Sequence, residues 1–452
     1  MSARASDAAA AVPPAGPSFR RAVAVIAAGL FATGLGWPGL IARLPLSLFL
    51  KNQLGLPAQQ VAVFWALGTL AWYGKPVIGL ICDAYPLFGA RRRGYLLAGA
   101  VASGVAWLAV AAVPGRYLSL LVVLIALNLA IVVVSTALGG LLVETGQRYG
   151  ATGRLSALRE GLIGAMSLVA GPIGGWLAGR ALGWTAATGA LIWLAFLPIA
   201  AFAPVAAFAP VAAFAPVAAF ADREARARRE PRAQARRVWA SAAEQLRVIR
   251  RSPTMWSAAA LLFLVYLAPG FQTPLLYHQQ DVLKFAPALM GQLQLIGGAG
   301  ALLGAAVYAW LCRRLPLRTS LIAGIVLNTG STLFYLRYDS PAAAVAITFT
   351  AALLGSIALL PLYDLAARAT PRGSESFGYA LLLSVQSVAM FGVSDVLGAG
   401  LYDRFHVGFK SLVWINAAST AAVLLFVPWL PRALLAPRDG EPEPQRPPAP
   451  AC

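Results

Sequence analysis

The chain has 452 residues, of which 59% are hydrophobic and only 12% charged, with a mean hydropathy of +0.71 and a formal net charge of +19. A soluble domain carries about 25% charged residues, so this composition excludes an ordinary soluble enzyme or binding module and points to a polytopic membrane protein. The basic balance admits a nucleic-acid partner only if the cations cluster as a binding face, and their positions decide against that.

Residues 1–19 are rich in Ala and Pro with no apolar core, which predicts a disordered tail and not a cleaved signal peptide. Each membrane-crossing helix needs about 20 mostly apolar residues. Twelve such windows follow, at 20–48, 58–83, 94–113, 117–143, 155–179, 183–205, 255–283, 287–311, 318–336, 341–367, 376–402 and 409–431. With both ends in the cytoplasm, 27 of the 36 Lys and Arg residues fall in termini and cytoplasmic loops and seven on the outside. That is the positive-inside pattern, and it predicts an inner-membrane protein with both termini cytoplasmic and no nucleic-acid partner.

The stretch GKPVIGLICDAYPLFGARRRGYL, residues 74–96, puts Lys75 inside an apolar window, Asp83 at its end and Arg91, Arg92 and Arg93 before the next. A charge at membrane depth costs a few kcal/mol and persists where it faces a polar cavity or a partner. Six windows, a basic linker and six more predict two bundles of similar design. GGWLAGR at 174–180 echoes GAGLYDR at 398–404, an offset of 224 residues. The expected division is a tail at 1–19, a first bundle at 20–205, a linker at 206–253, a second bundle at 254–433 and a Pro-rich tail at 434–452. Within the linker, AFAPVA repeats with a six-residue period that fits no helical face, and its prolines oppose helix. Ten cations then crowd into residues 222–251, read as a solvated orienting segment. Cys82, Cys312 and Cys452 are spaced neither as a metal site nor as a disulfide pair.

Three stretches together resemble the folate/biopterin transporter family of the major facilitator superfamily. They are residues 49–96, with LG-L, KP-x-x-G, an acid, a proline and the arginine cluster; FLVYLAPGFQTPLLYHQQ at 263–280; and PLYDLAARATPRGSESFGYALLLSVQS at 361–387. The resemblance implies an all-α membrane protein with twelve transmembrane helices in two six-helix bundles. It also implies a secondary transporter that moves a folate- or pterin-like anion by alternating access, with protons as the candidate coupling ion, no cofactor and a monomer favoured. The chain departs from the family where a pattern like D-x-L-V-V-E is expected. It reads Gly139, Gly140, Leu141, Leu142, Val143, Glu144, while Asp364 and Asp395 stand where neutral residues are expected.

A flat heterocycle with a carboxylate tail needs aromatic faces and a cation. The substrate-binding candidates are Arg43, Trp65, Trp72, Tyr73 and Lys75 in the first bundle, with Trp65 and Trp72 seven apart on one helical face. In the second they are Gln272, Thr273, Tyr277 and Gln386, the first three following a helix break at Pro269 and Gly270 that would open its backbone toward a cavity. Asp364 and Asp395 are the proton-coupling candidates, because burial raises a carboxyl pKa. Asp83, Arg91, Arg92, Arg93, Glu144, Arg368 and Glu375 resemble the superfamily's cytoplasmic gate, in which charge pairs made in one conformation and broken in the other shift the balance between states. Two rivals remain open. One is a permease for another amphipathic solute, such as a peptide, sugar conjugate or drug; the other is a membrane sensor signalling through the linker. No metal cluster, nucleotide loop or nucleophile-and-base pair argues for an enzyme.

Overall fold

The structure, a computed structural model, describes residues 17–85, 87, 93–113, 115–149, 152–201, 231–312, 314–369 and 375–429. Its first apolar stretch forms α1 (Pro17–Leu35), α2 (Pro38–Ile41) and α3 (Arg43–Asn52), and the second forms α4 (Ala58–Gly68), α5 (Leu70–Tyr73) and α6 (Lys75–Ala84). Four uninterrupted helices complete the first half: α7 (Arg93–Ala112), α8 (Tyr117–Tyr149), α9 (Thr152–Ala178) and α10 (Leu182–Ala201). After α11 (Pro231–Arg250), the second half runs through α12 (Pro253–Leu267), α13 (Gln272–Tyr277), α14 (Pro287–Leu311), α15 (Leu317–Leu333) and α16 (Pro341–Ala369). It closes with α17 (Glu375–Ser387), α18 (Asp395–Arg404) and α19 (Phe409–Ala422). Residues 388–394, between α17 and α18, form a turn of π-helix, a wide-bore geometry common at functional sites.

Among the described residues, ten segments are long and apolar enough to cross a membrane, matching the third to twelfth expected windows. The first two windows were expected as continuous helices and are instead broken. In the second, the Thr69 hydroxyl bonds back to the carbonyls of Trp65 (2.9 Å) and Ala66 (3.2 Å) where α4 ends, and Pro76 starts α6 without an amide donor. The AFAPVA repeat lies outside the described residues. The linker differs from its reading as a merely solvated segment, because residues 231–250 form α11 with Ala235, Ala242 and Ile249 buried. Those positions are seven apart and share one face.

The helices alternate in direction and so define two rims. Lys51, Asp281 and Asp403 stand at one, here the Asp281 rim, and α11 lies at the other. Exposed tryptophans mark both: Trp176, Trp184 and Trp414 toward the Asp281 rim, and Trp256 and Trp310 toward the α11 rim. Such belts belong at membrane–water boundaries, and Arg180 and Arg314 cover the rings of Trp176 and Trp310 at 3.5 and 3.9 Å.

Small residues bring the halves together. A Cβ on Gly291 of α14 would meet the carbonyl oxygen of Gly171 on α9 at 2.5 Å, so the two backbones are in contact where any side chain would part them. Leu44 and Leu48 of α3 share a buried cluster with Phe285, Met290, Leu293 and Tyr338, an apolar seal between the halves near the Asp281 rim.

Candidate functional site

Polar groups between the halves are arranged in layers. At the Asp281 rim Lys51 pairs with Asp281, the Gln59 amide donates to Asp403, and the Tyr277 hydroxyl donates to the Leu56 carbonyl. Each of these joins the first half to the second. Next to them Gln279 donates to Tyr338 at 2.7 Å, and burial pushes the Tyr338 hydroxyl pKa up, so it stays a neutral acceptor.

The next layer lies eight residues in from the rim along α3 and α18, about 12 Å at 1.5 Å per residue. There Arg43 Nη2 reaches Asp395 Oδ2 at 3.1 Å. Thr273 donates to the same carboxylate through its amide (3.0 Å) and its hydroxyl (2.6 Å). Trp65 lies under the guanidinium at 4.9 Å and donates its indole N–H to Ser47 at 2.9 Å. Three donors thus converge on the Asp395 carboxylate, and among the described residues the cation of this layer, Arg43, is occupied by it. Asp364, the other proton-coupling candidate, has its side chain outside the described residues.

The helix break at Pro269–Gly270 is present, but its backbone is not open. Gly270 N donates to the Ser394 carbonyl at 2.8 Å, Ser394 Oγ to the Ala268 carbonyl at 2.6 Å, and Asn416 Nδ2 to the Pro269 carbonyl at 2.9 Å. A Cβ on Gly398 would stand 1.6 Å from the Gly270 oxygen. The eleventh and twelfth spans therefore satisfy the broken seventh, as a low-dielectric setting requires.

At mid-depth is an aromatic layer. Asn128, fully buried on α8, accepts the indole N–H of Trp37 (3.0 Å) and of Trp72 (2.8 Å) on one oxygen. The two rings meet edge to face at 5.8 Å, and Phe391 of the π-helical turn approaches Trp37 at 6.1 Å. Lys75 lies over Trp72 at 5.1 Å and donates to Ser135 at 3.0 Å. Among the described residues it has no carboxylate partner. Tyr73 donates to the Ala66 carbonyl at 2.9 Å. Across from it, Gln386 donates to the Tyr363 hydroxyl at 3.1 Å, with Tyr266 beside both.

Comparison with known proteins decides the family. The model of the BT1 family matches residues 36–444. The chain belongs to the BT1 family. Similar relatives are a folate-biopterin transporter of Synechocystis, 26% identical over 86% of this chain and 78% of its own, and a probable folate-biopterin transporter 7 of Arabidopsis thaliana, 23% identical over 89% and 91%. A D-xylose-proton symporter superposes with TM-score 0.65 at 14% identity, covering 90% of this chain and 96% of its own. A peptide transporter does so with 0.64 at 15%, covering 92% and 96%. The BT1 chain is accordingly a membrane transporter with the major facilitator fold.

The structure sorts the expected site residues of this BT1 protein into separate places. Arg43, Trp65, Thr273, Tyr277 and Asp395 sit in the two layers nearest the Asp281 rim, while Trp72, Tyr73, Lys75 and Gln386 lie at mid-depth. Trp65 is only 2% exposed, and the break at Thr69 separates its surroundings from those of Trp72. Gln272 is exposed at the start of α13. Of the gate candidates, Arg91 and Arg92 lie outside the described residues, as do the side chains of Asp83, Glu144, Arg368 and Glu375; Arg93 opens α7 half-buried. Sequence reasoning passed over Trp37, Asn128, Ser135 and Phe391. Asn128 carried a usable signal, an amide eleven residues into an apolar window, where a polar side chain needs a partner.

Proposed function

We propose that this transporter moves a folate- or pterin-like organic anion by alternating access between halves at 20–205 and 254–433, joined through 206–253, with tails at 1–19 and 434–452. The observation that carries the reading is the mid-depth layer. Two indoles locked by Asn128 and faced by Phe391 offer stacking surfaces for a flat heterocycle. Lys75 lies beside them as a cation for an acidic tail. The relatives' names supply the substrate class.

The positive-inside pattern supports an inner-membrane protein with both termini cytoplasmic, which makes the Asp281 rim the outer one. Since the ion pair, hydrogen bonds and apolar seal described between the halves crowd that rim, this conformation reads as closed outside and facing the cytoplasm. Arg43, Asp395, Thr273, Lys51 and Asp281 then form the outer gate. Asp83, the arginines at 91–93, Glu144, Arg368 and Glu375 are proposed to form its inner counterpart. Protons are the proposed coupling ion, with Asp395 as the acceptor whose neutralisation would free Arg43.

Uptake of radiolabelled folate into cells expressing the chain tests the reading. Uptake well above that of Lys75→Ala cells is expected, and uptake no greater than theirs counts against it. A second reading, transport of another amphipathic solute, is favoured by Gly139. A Cβ there meets nothing within 4 Å, so open space stands where the resemblance leads one to expect a carboxylate. Competition of folate uptake by unlabelled pterins, peptides and sugar conjugates separates the two.

A further inference from the structure

Helix α11 is not absorbed by the transport site, and its surface is unevenly divided. Residues 231–251 hold six arginines and one acidic residue, Glu244. Ala235, Ala242 and Ile249 form the buried stripe, packed toward α6 of the first half and toward α12 and α17 of the second. At 100° per residue, the exposed side chains next to that stripe on one flank are Leu246 and Trp239, 52% and 41% exposed. Arg250, Arg236 and Arg247 follow on the same flank, all exposed. Apolar groups low on the flank and arginines above them is the cross-section of a helix lying in a bilayer interface.

Position supports the same conclusion independently. Only Arg251 and Ser252 separate α11 from α12, which begins a membrane span at Pro253. Trp256, half exposed one turn into that span, donates its indole N–H to the Arg250 carbonyl at 3.2 Å. The end of α11 is thereby fastened at the depth where interfacial tryptophans sit. Glu244 pairs with Arg247, but both side chains are about 60% exposed, so the pair leaves the flank strongly cationic.

We propose that α11 is a membrane-surface helix whose Arg236, Arg247 and Arg250 bind the headgroups of anionic phospholipids while Trp239 and Leu246 enter the acyl boundary. Because its buried stripe touches both halves, bound lipid steadies their contact at this rim. Each basic residue at an anionic surface strengthens partitioning about fivefold, and the attraction weakens as salt screens it.

The test is hydrogen–deuterium exchange of the 231–250 amides in the full-length protein, reconstituted in phosphatidylcholine alone or with added phosphatidylglycerol. Exchange about tenfold slower in the anionic membrane, with the difference shrinking in high salt, is expected. The Arg236→Gln/Arg247→Gln/Arg250→Gln variant should lose the difference while melting at the wild-type temperature, since the three side chains are exposed. If that variant does not reconstitute, single Arg236→Gln and Arg250→Gln variants should each reduce the difference. Equal exchange in the two membranes overturns the proposal. So does a difference that survives in the variants, or protection by inorganic phosphate in phosphatidylcholine alone.

Discussion

Arg43 and Asp395 are separated by 352 positions in the chain and 3.1 Å in space. One belongs to the first half and the other to the second, so the contact can exist only while the halves meet near the Asp281 rim. Removing one partner of a fully buried pair costs about 3–5 kcal/mol; here the side chains keep 23% and 11% exposure, so a smaller loss is expected. Asp395→Asn should therefore open this side without unfolding the protein, raising labelling of a cysteine placed at Leu56 by an impermeant maleimide. The swap Arg43→Asp/Asp395→Arg should recover part of the closure. Unchanged labelling in Asp395→Asn would remove the pair from the gate.

Gly398 is expected to be intolerant of any side chain. The carbonyl of Gly270 occupies the place of its Cβ, so Gly398→Ala must push the eleventh span off the broken seventh and strain the Gly270–Ser394 hydrogen bond. Overpacking of this kind costs about 1–3 kcal/mol. Thermal unfolding in detergent should show a lowered midpoint for Gly398→Ala, whereas Gly139→Ala, which meets open space, should leave it unchanged.

Asn128→Leu should act on substrate affinity. It leaves two indole N–H groups without their acceptor, at about 1–3 kcal/mol for each buried unsatisfied group, and lets both rings turn. The expected result is a KM for folate uptake raised about tenfold or more, with expression retained. Asn128→Asp, which keeps an acceptor oxygen, should come closer to the wild type. Equal KM values in all three proteins would show that the indoles need no such support.

Trp72→Phe keeps a stacking face but gives up the hydrogen bond to Asn128 and the larger ring under Lys75, and Trp72→Ala gives up all three. A graded rise in KM, smaller for Phe than for Ala, is expected from uptake kinetics. A drop in maximal rate at constant KM would instead place Trp72 in the conformational step.

At Lys51–Asp281 neutralisation is expected to matter little for stability. The Lys51 side chain is 10% exposed but that of Asp281 is 51% exposed, so water screens the pair from the Asp281 side and it contributes about 1 kcal/mol or less. Lys51→Gln should leave the unfolding midpoint unchanged within error while lowering the salt dependence of maleimide access at the rim.

Several features of the site were legible in residue order and several were not, for physical reasons. Lys75 stood out because ammonium inside an apolar window needs a reason, and the structure supplies Trp72 and Ser135. Arg43 and Asp395 were both named as candidates, in different roles, yet their pairing was invisible, since nothing local to either reports on a helix hundreds of residues away. Trp65 and Trp72 were matched by helical periodicity, a rule that fails once Thr69 breaks the helix between them.

Length, apolar periodicity and the distribution of cations determined by themselves that the chain spans a membrane many times. Hydrocarbon admits a backbone only when its polar groups are satisfied within the helix, so each span is written in consecutive residues. Which helices meet, which rim is sealed, and that one asparagine holds two tryptophans were decided only by the tertiary structure. Those contacts depend on close approach between surfaces far apart in the chain, and no local run of residues encodes the distance between them.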